Sequence, residues 1–228
     1  LNPIFSKMRT FSHPGYKRFL LSVGCLLSIH FTALFFLTLF RLVFFFSANY
    51  DFPDQEHVGF MSIWPAFIRG VWFDNVIACY ILLIPLVAVS ISALFNYYGK
   101  ILWNVTCIFF SLFYGIVLLV TAANIPYFQY FFKIINSSVF NWFGYMNTTA
   151  GMVFGETSYY PPLIGFLLTL VLFIWLMRRL IRHFQRLLNT KNPSVFWLDR
   201  IYIFLTAGIC IGLCLFGIRG RTGYNPIK

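Results

Sequence analysis

The chain has 228 residues, of which 60% are hydrophobic and only 10% charged. A soluble domain carries roughly a quarter charged residues, so the composition excludes an ordinary water-soluble fold. The net charge of +11 would suit a nucleic-acid binder, but the basic residues sit beside apolar blocks and form no solvated basic face, which excludes that partner class.

The apolar residues fall in blocks of about twenty, the length that crosses about 30 Å of hydrocarbon at 1.5 Å per residue. The first block, 19–40, reads FLLSVGCLLSIHFTALFFLTLF, and its apolar character continues past Arg41 into LVFFF. His30 lies within it and reads as a hydrogen-bonded packing residue before it reads as a proton relay. The connection 47–74 contains FMSIWPAFIRGVWF, with Phe60, Trp64, Phe67, Ile68 and Val71 at helical spacing and Pro65 able to begin or break a helix. This predicts an interfacial helix in the headgroup layer, where Trp and Tyr rings are favoured.

The second block, 75–94, carries Pro85 near its middle, and the third is 101–122. The connection 123–157 places nine aromatics between Tyr127 and Tyr145, so it too is expected to lie at the interface rather than in water. In the fourth block, 158–177, Pro161 and Pro162 suit a first helical turn, where no N–H partner is needed. The following RRLIRHFQRLL keeps Leu180, Phe184, Leu187 and Leu188 at helical spacing between arginines, and predicts a continuation toward anionic headgroups. The fifth block is 201–218. The expected fold is all-α, a polytopic membrane protein with five transmembrane helices plus interfacial helices on the outer side.

Orientation follows from the Lys and Arg distribution. With the N-terminus inside, the inner segments hold Lys7, Arg9, Lys17, Arg18, Lys100, Arg178, Arg179, Arg182, Arg186, Lys191 and Arg200, eleven of the seventeen basic residues. Five crossings then deliver the C-terminus outside. The expected location is a bacterial cytoplasmic (inner) membrane.

The residues that bear charge near the outer hydrocarbon edge are the candidate site. Arg41 closes the first block, Arg69 and Asp74 precede the second, Glu156 opens the fourth, and Arg219 and Arg221 follow the fifth. Charges at this depth are expensive unless paired or hydrated. Asp74 and Glu156 are read as lying at helix N-termini, where the dipole alone would stabilise them by about 0.3–1 kcal/mol each. The alternative is a polar cluster that binds a lipid headgroup or docks an external domain. Catalytic patterns are missing: the four histidines fall in different regions, and no paired carboxylates or phosphate loop appear. Cys25, Cys79, Cys107, Cys210 and Cys214 all lie in apolar blocks and read as reduced packing residues.

The stretches RGVWFDNVIACYILLIPL, GETSYY and RGRTGYNPIK resemble the membrane domain of bacterial lipoteichoic acid synthase-like proteins, the membrane-bound sulfatase or phosphoglycerol transferase branch of the alkaline phosphatase superfamily. The resemblance covers about 19–228. It implies a five-helix membrane domain over 1–218 and, from 219 onward, the start of a connector to an external catalytic domain missing from this sequence. That domain would carry the Thr or Ser nucleophile and a divalent metal (Mn, Mg, Ca or Zn), and no residue here corresponds to either. The chain itself is then expected to have no activity and no cofactor, and to supply an anchor and platform for an anionic or lipid-linked substrate. Two readings from other classes stand beside it: a small transporter using Ser28, His30, Thr32, Ser90, Ser111 and Thr169, and an envelope-complex scaffold.

Overall fold

The computed structural model describes residues 13–50, 60–136, 151, 155, 157–188 and 197–219. They form α1 (Pro14–Tyr50), α2 (Phe60–Leu94), α3 (Lys100–Phe131), a short 3-10 turn (Thr157–Tyr159), α4 (Tyr160–Leu188) and α5 (Trp197–Arg219). All five α-helices are long and apolar enough to span a membrane, so the chain is a polytopic helical membrane protein. A helix is the form that satisfies every backbone group within one segment, which hydrocarbon demands.

The helices outrun the apolar blocks. α1 has 37 residues, about 55 Å at 1.5 Å per residue, so it extends well beyond the hydrocarbon. α2 begins at Phe60 and passes through Pro65 without a break. The aromatic segment expected as a separate interfacial element is therefore the first part of α2. Likewise α3 takes the start of the second outer connection and continues through Pro126 to Phe131. It ends where Phe132 adopts a left-handed φ of 52° and its N–H bonds the Phe128 carbonyl at 2.8 Å. α4 starts with Pro161 and Pro162 in its first turn and runs through the arginine-rich stretch to Leu188, both as expected. Residues 51–59, 137–150 and 220–228 lie outside the described residues, and with them the connector and four of the nine aromatics between Tyr127 and Tyr145, namely Phe140, Trp142, Phe143 and Tyr145.

The chain divides into two compact units, and α1 to α4 each contribute to both. One unit comprises 1–30, 79–108 and 177–228. Its core is built by Phe19, Leu26, Ile29, Val89, Trp103, Met177 and Ile203. His13 Nδ1 donates to Asp199 Oδ1 at 2.7 Å, and Tyr16 and Thr206 hydroxyls lie 3.1 Å apart, so α1 and α5 begin side by side and run the same way. Arg18 Nη2 donates to the Leu188 carbonyl at 2.6 Å, which brings the end of α4 to the start of α1. Cys214 Sγ donates to the Cys79 carbonyl at 3.2 Å, tying α5 to α2.

The other unit comprises 31–78 and 109–176. Its core is aromatic: the Phe173 ring meets Phe36 edge-on at 6.2 Å and Tyr114 at 5.5 Å, and Tyr114 stacks on Phe110 at 5.6 Å. Phe44 packs on Phe128, and Gln129 Nε2 donates to Ser47 Oγ at 2.8 Å, so the last turns of α1 and α3 lie together. Large apolar side chains such as Phe31, Leu168 and Val171 are exposed, the surface that a lipid solvent requires.

Candidate functional site

Arg41 and Asp74 find each other. Arg41 Nε donates to Asp74 Oδ2 at 3.1 Å and Nη2 donates to Oδ1 at 2.7 Å, a two-pronged pair between α1 and α2. The planar guanidinium fork matches a carboxylate in this way, which fixes orientation as well as charge. The Asp74 side chain is 14% exposed and that of Arg41 32%. Both residues lie inside the segments apolar enough to cross a membrane. In that setting each charge alone would be expensive, and the pair removes most of the cost.

The pairing corrects the dipole reading of Asp74. α2 begins at Phe60, so Asp74 lies several turns into the helix and gains little from its N-terminus. The partner, Arg41, is thirty-three residues away in sequence. Asp199 provides the corresponding surprise at the other unit's start. It is fully buried, and it pairs with His13, 186 positions away in sequence.

Gly70 makes the Arg41 geometry possible. It is one helical turn before Asp74, on the same face. A Cβ placed there would lie 2.8 Å from Arg41 Nε and closer still to Cζ and Nη1. The glycine therefore gives Arg41 a flat floor on which to reach the carboxylate. In the sequence Gly70 shows only as a weak helix former; nothing in it marks a contact with α1.

The other expected site residues separate. Arg69 is exposed, and its offset from Asp74 by five positions turns it to a different face of α2. It shares that outward surface with exposed Ile68, Trp72 and Phe73. Arg219 is exposed at the end of α5. Glu156 and Arg221 lie outside the described residues. Asn124 Oδ1 accepts from the Ile135 N–H at 2.9 Å, closing the chain back over the end of α3.

The polar residues considered for a transport path bond locally where their partners are seen. Ser28 and Ser90 return their hydroxyls to the Gly24 and Leu86 carbonyls of their own helices, at 2.8 and 2.7 Å. This satisfies a hydroxyl in an apolar setting without water. Among the described residues no three His, Cys, Asp or Glu side chains gather as ligands for one ion. Comparison with protein-family models, curated proteins and solved structures finds no match.

Proposed function

We propose that this chain is the membrane anchor and lipid-substrate platform of an outward-facing phosphoglycerol or phosphoethanolamine transferase, or of a sulfatase-type hydrolase. The observation that carries the reading is the Arg41–Asp74 pair, floored by Gly70 inside two apolar helices. The pair is neutral. Arg69 adds one positive charge beside exposed Trp72 and Phe73, and a lipid phosphodiester brings one negative charge. Arg69 then holds the phosphate while the aromatic rings lie against the lipid's glycerol and upper chains.

The reading places the N-terminus inside, the C-terminus outside, and the metal-dependent catalytic part beyond this sequence. The parallel start of α1 and α5 supports an odd number of passes. The chemistry assigned to the chain is positional. Holding a lipid-linked substrate in the headgroup plane raises its effective concentration at a tethered active site and limits its orientations.

The test has two parts. A reporter fused after Lys228 should be reached by a membrane-impermeant reagent from outside intact cells; access from the cytosol alone overturns the orientation. The chain purified in dodecyl maltoside should retain phosphatidylglycerol over a phosphate-free glycolipid in native mass spectrometry. Arg69→Gln should lower that retention about five- to ten-fold, the loss of one charge-assisted contact. Equal retention of both lipids, or no effect of Arg69→Gln, refutes the platform.

A further inference from the structure

The turn between α2 and α3 encloses a cavity of about 290 Å³, at the small end of the range for small-molecule sites. α2 ends at Leu94, and Asn96 takes a left-handed φ of 54°, a conformation Asn tolerates better than most residues. The N–H groups of Asn96 and Tyr97 bond back to the Ala93 and Ser92 carbonyls, so the turn is fixed rather than loose. α3 starts again at Lys100. Arg18 forms the wall contributed by α1. Its guanidinium donates to the Leu188 carbonyl at 2.6 Å and lies 5.6 Å from the centre of the Tyr98 ring.

Three residues of this lining each bury a polar atom that has no hydrogen-bond partner: Trp103 Nε1, Tyr98 Oη and Asn96 Oδ1. Trp103 is only 1% exposed, and its indole N–H is a donor without an acceptor. Buried polar groups are satisfied in nearly all folded proteins, so unpartnered ones sharing a cavity point to a ligand. The Tyr98 hydroxyl is a donor too. Burial pushes its pKa up to about 12, with the Arg18 charge pulling the other way, so it keeps its proton at neutral pH. The charges agree with the donors. Arg18 and Lys100 both line the cavity, and among the described residues no carboxylate does. The first turn of α3 adds the positive end of a 32-residue helix.

We propose that this cavity binds a phosphate ester of a small alcohol. The phosphate oxygens accept from Trp103 Nε1–H and the Tyr98 hydroxyl and face the charges of Arg18 and Lys100. Asn96 Oδ1, an acceptor, takes a hydroxyl or ammonium on the alcohol. The site lies between two membrane spans, so such an ester can arrive as a phospholipid headgroup or as a water-soluble ester. It is separate from the Arg41–Asp74 platform and does not depend on it.

The full chain in dodecyl maltoside is given sn-glycerol 3-phosphate in one arm and phosphatidylglycerol in the other, and binding is read by native mass spectrometry. Trp103→Phe removes the indole N–H but keeps an aromatic ring in place, and Lys100→Gln removes a charge from an exposed position. At least one probe should bind the wild type. The two substitutions together should weaken that binding ten-fold or more, the lipid arm being read in an Arg69→Gln background that silences the platform. Variant-sensitive binding of glycerol phosphate assigns a soluble ester, and variant-sensitive binding of the lipid alone assigns a headgroup. Where Trp103→Phe lowers the yield of folded protein, Lys100→Gln alone is read against the same standard, with a loss of several-fold. If neither probe binds the wild type, or wild type and variants bind equally, the proposal fails.

Discussion

Gly70→Ala tests whether the Arg41–Asp74 pair depends on an absent side chain. In a helix interior, replacing Gly by Ala stabilises by about 0.5–1 kcal/mol through backbone entropy. At position 70 the new Cβ would fall within 2.8 Å of Arg41 Nε, so the guanidinium must move. Its far end is flexible, and the steric part of the cost is small. The larger part is the carboxylate geometry, because the guanidinium moves as one rigid plane and both Asp74 hydrogen bonds start from it. Charge-assisted bonds contribute about 1.5–3 kcal/mol, and the low end applies to the pair because Arg41 is 32% exposed. The net effect is a destabilisation of about 0.5–1 kcal/mol, or about 1–4 °C in a chain of this size. Gly208 and Gly212 of α5 are the controls. A Cβ at either meets nothing within 4 Å, so Ala there should be neutral or stabilising by up to about 1 kcal/mol. Thermal unfolding in one detergent compares the three variants. In an Asp74→Asn background the Gly70→Ala penalty should shrink, since the pair is already broken. If Gly70→Ala melts with the α5 variants, Arg41 is not held as described.

Removing His13 takes from the fully buried Asp199 a hydrogen bond of 2.7 Å. His13→Ala should cost about 1–3 kcal/mol in thermal unfolding, and His13→Gln, which keeps a donor, should recover part of it. Phe173→Ala empties the centre of the Phe36–Tyr114–Phe173 cluster and should cost about 3–5 kcal/mol; a loss below about 1 kcal/mol would mean that the cluster is not packed as seen. For Tyr98 the pKa is raised from 10.0 to about 12. The unfolded chain therefore loses this proton first, and the stabilising contribution is complete below pH 10 and declines as the pH rises toward 12. Phenolate absorbance near 295 nm should separate wild type from Tyr98→Phe only at the top of that window.

The five passes are legible in the sequence because hydrocarbon leaves the backbone so few solutions. Their ends are less so. A hydropathy block stops at a charge or a proline, but the helix does not have to. α2 continues back from Asn75 through Asp74, Arg69 and Pro65, since Asp74 meets its partner on α1. That partner is a tertiary fact, and no window of twenty residues contains it. Arg41 and Asp74 were both readable as costly charges; that they join each other, while Arg69 turns away, follows from helix phase and the α1–α2 contact. The cavity beside Lys100 was less visible still. Arg18 and Lys100 register in the sequence as topology signals, and nothing there singles out Tyr98 or Trp103. Only the turn at Asn96 and the return of α4 to Leu188 bring them together.

The Arg41–Asp74 pair also constrains how the chain enters a membrane. On insertion scales a charged side chain at a helix centre costs about 2.5–3.5 kcal/mol. α2 includes Asp74 and α1 includes Arg41, so each helix inserted alone carries an unpaired charge toward the apolar layer. Inserted together as a hairpin they carry a neutral pair, and the two hydrogen bonds form between antiparallel segments that already lie close. The mean hydropathy of the spanning windows remains high, 2.1 for α1 and 2.5 for α2, so the hydrophobic drive exceeds the polar cost in both. The pair therefore does little to decide whether the helices enter. It decides their register, because only one sliding position places the guanidinium over Gly70 and in line with both carboxylate oxygens.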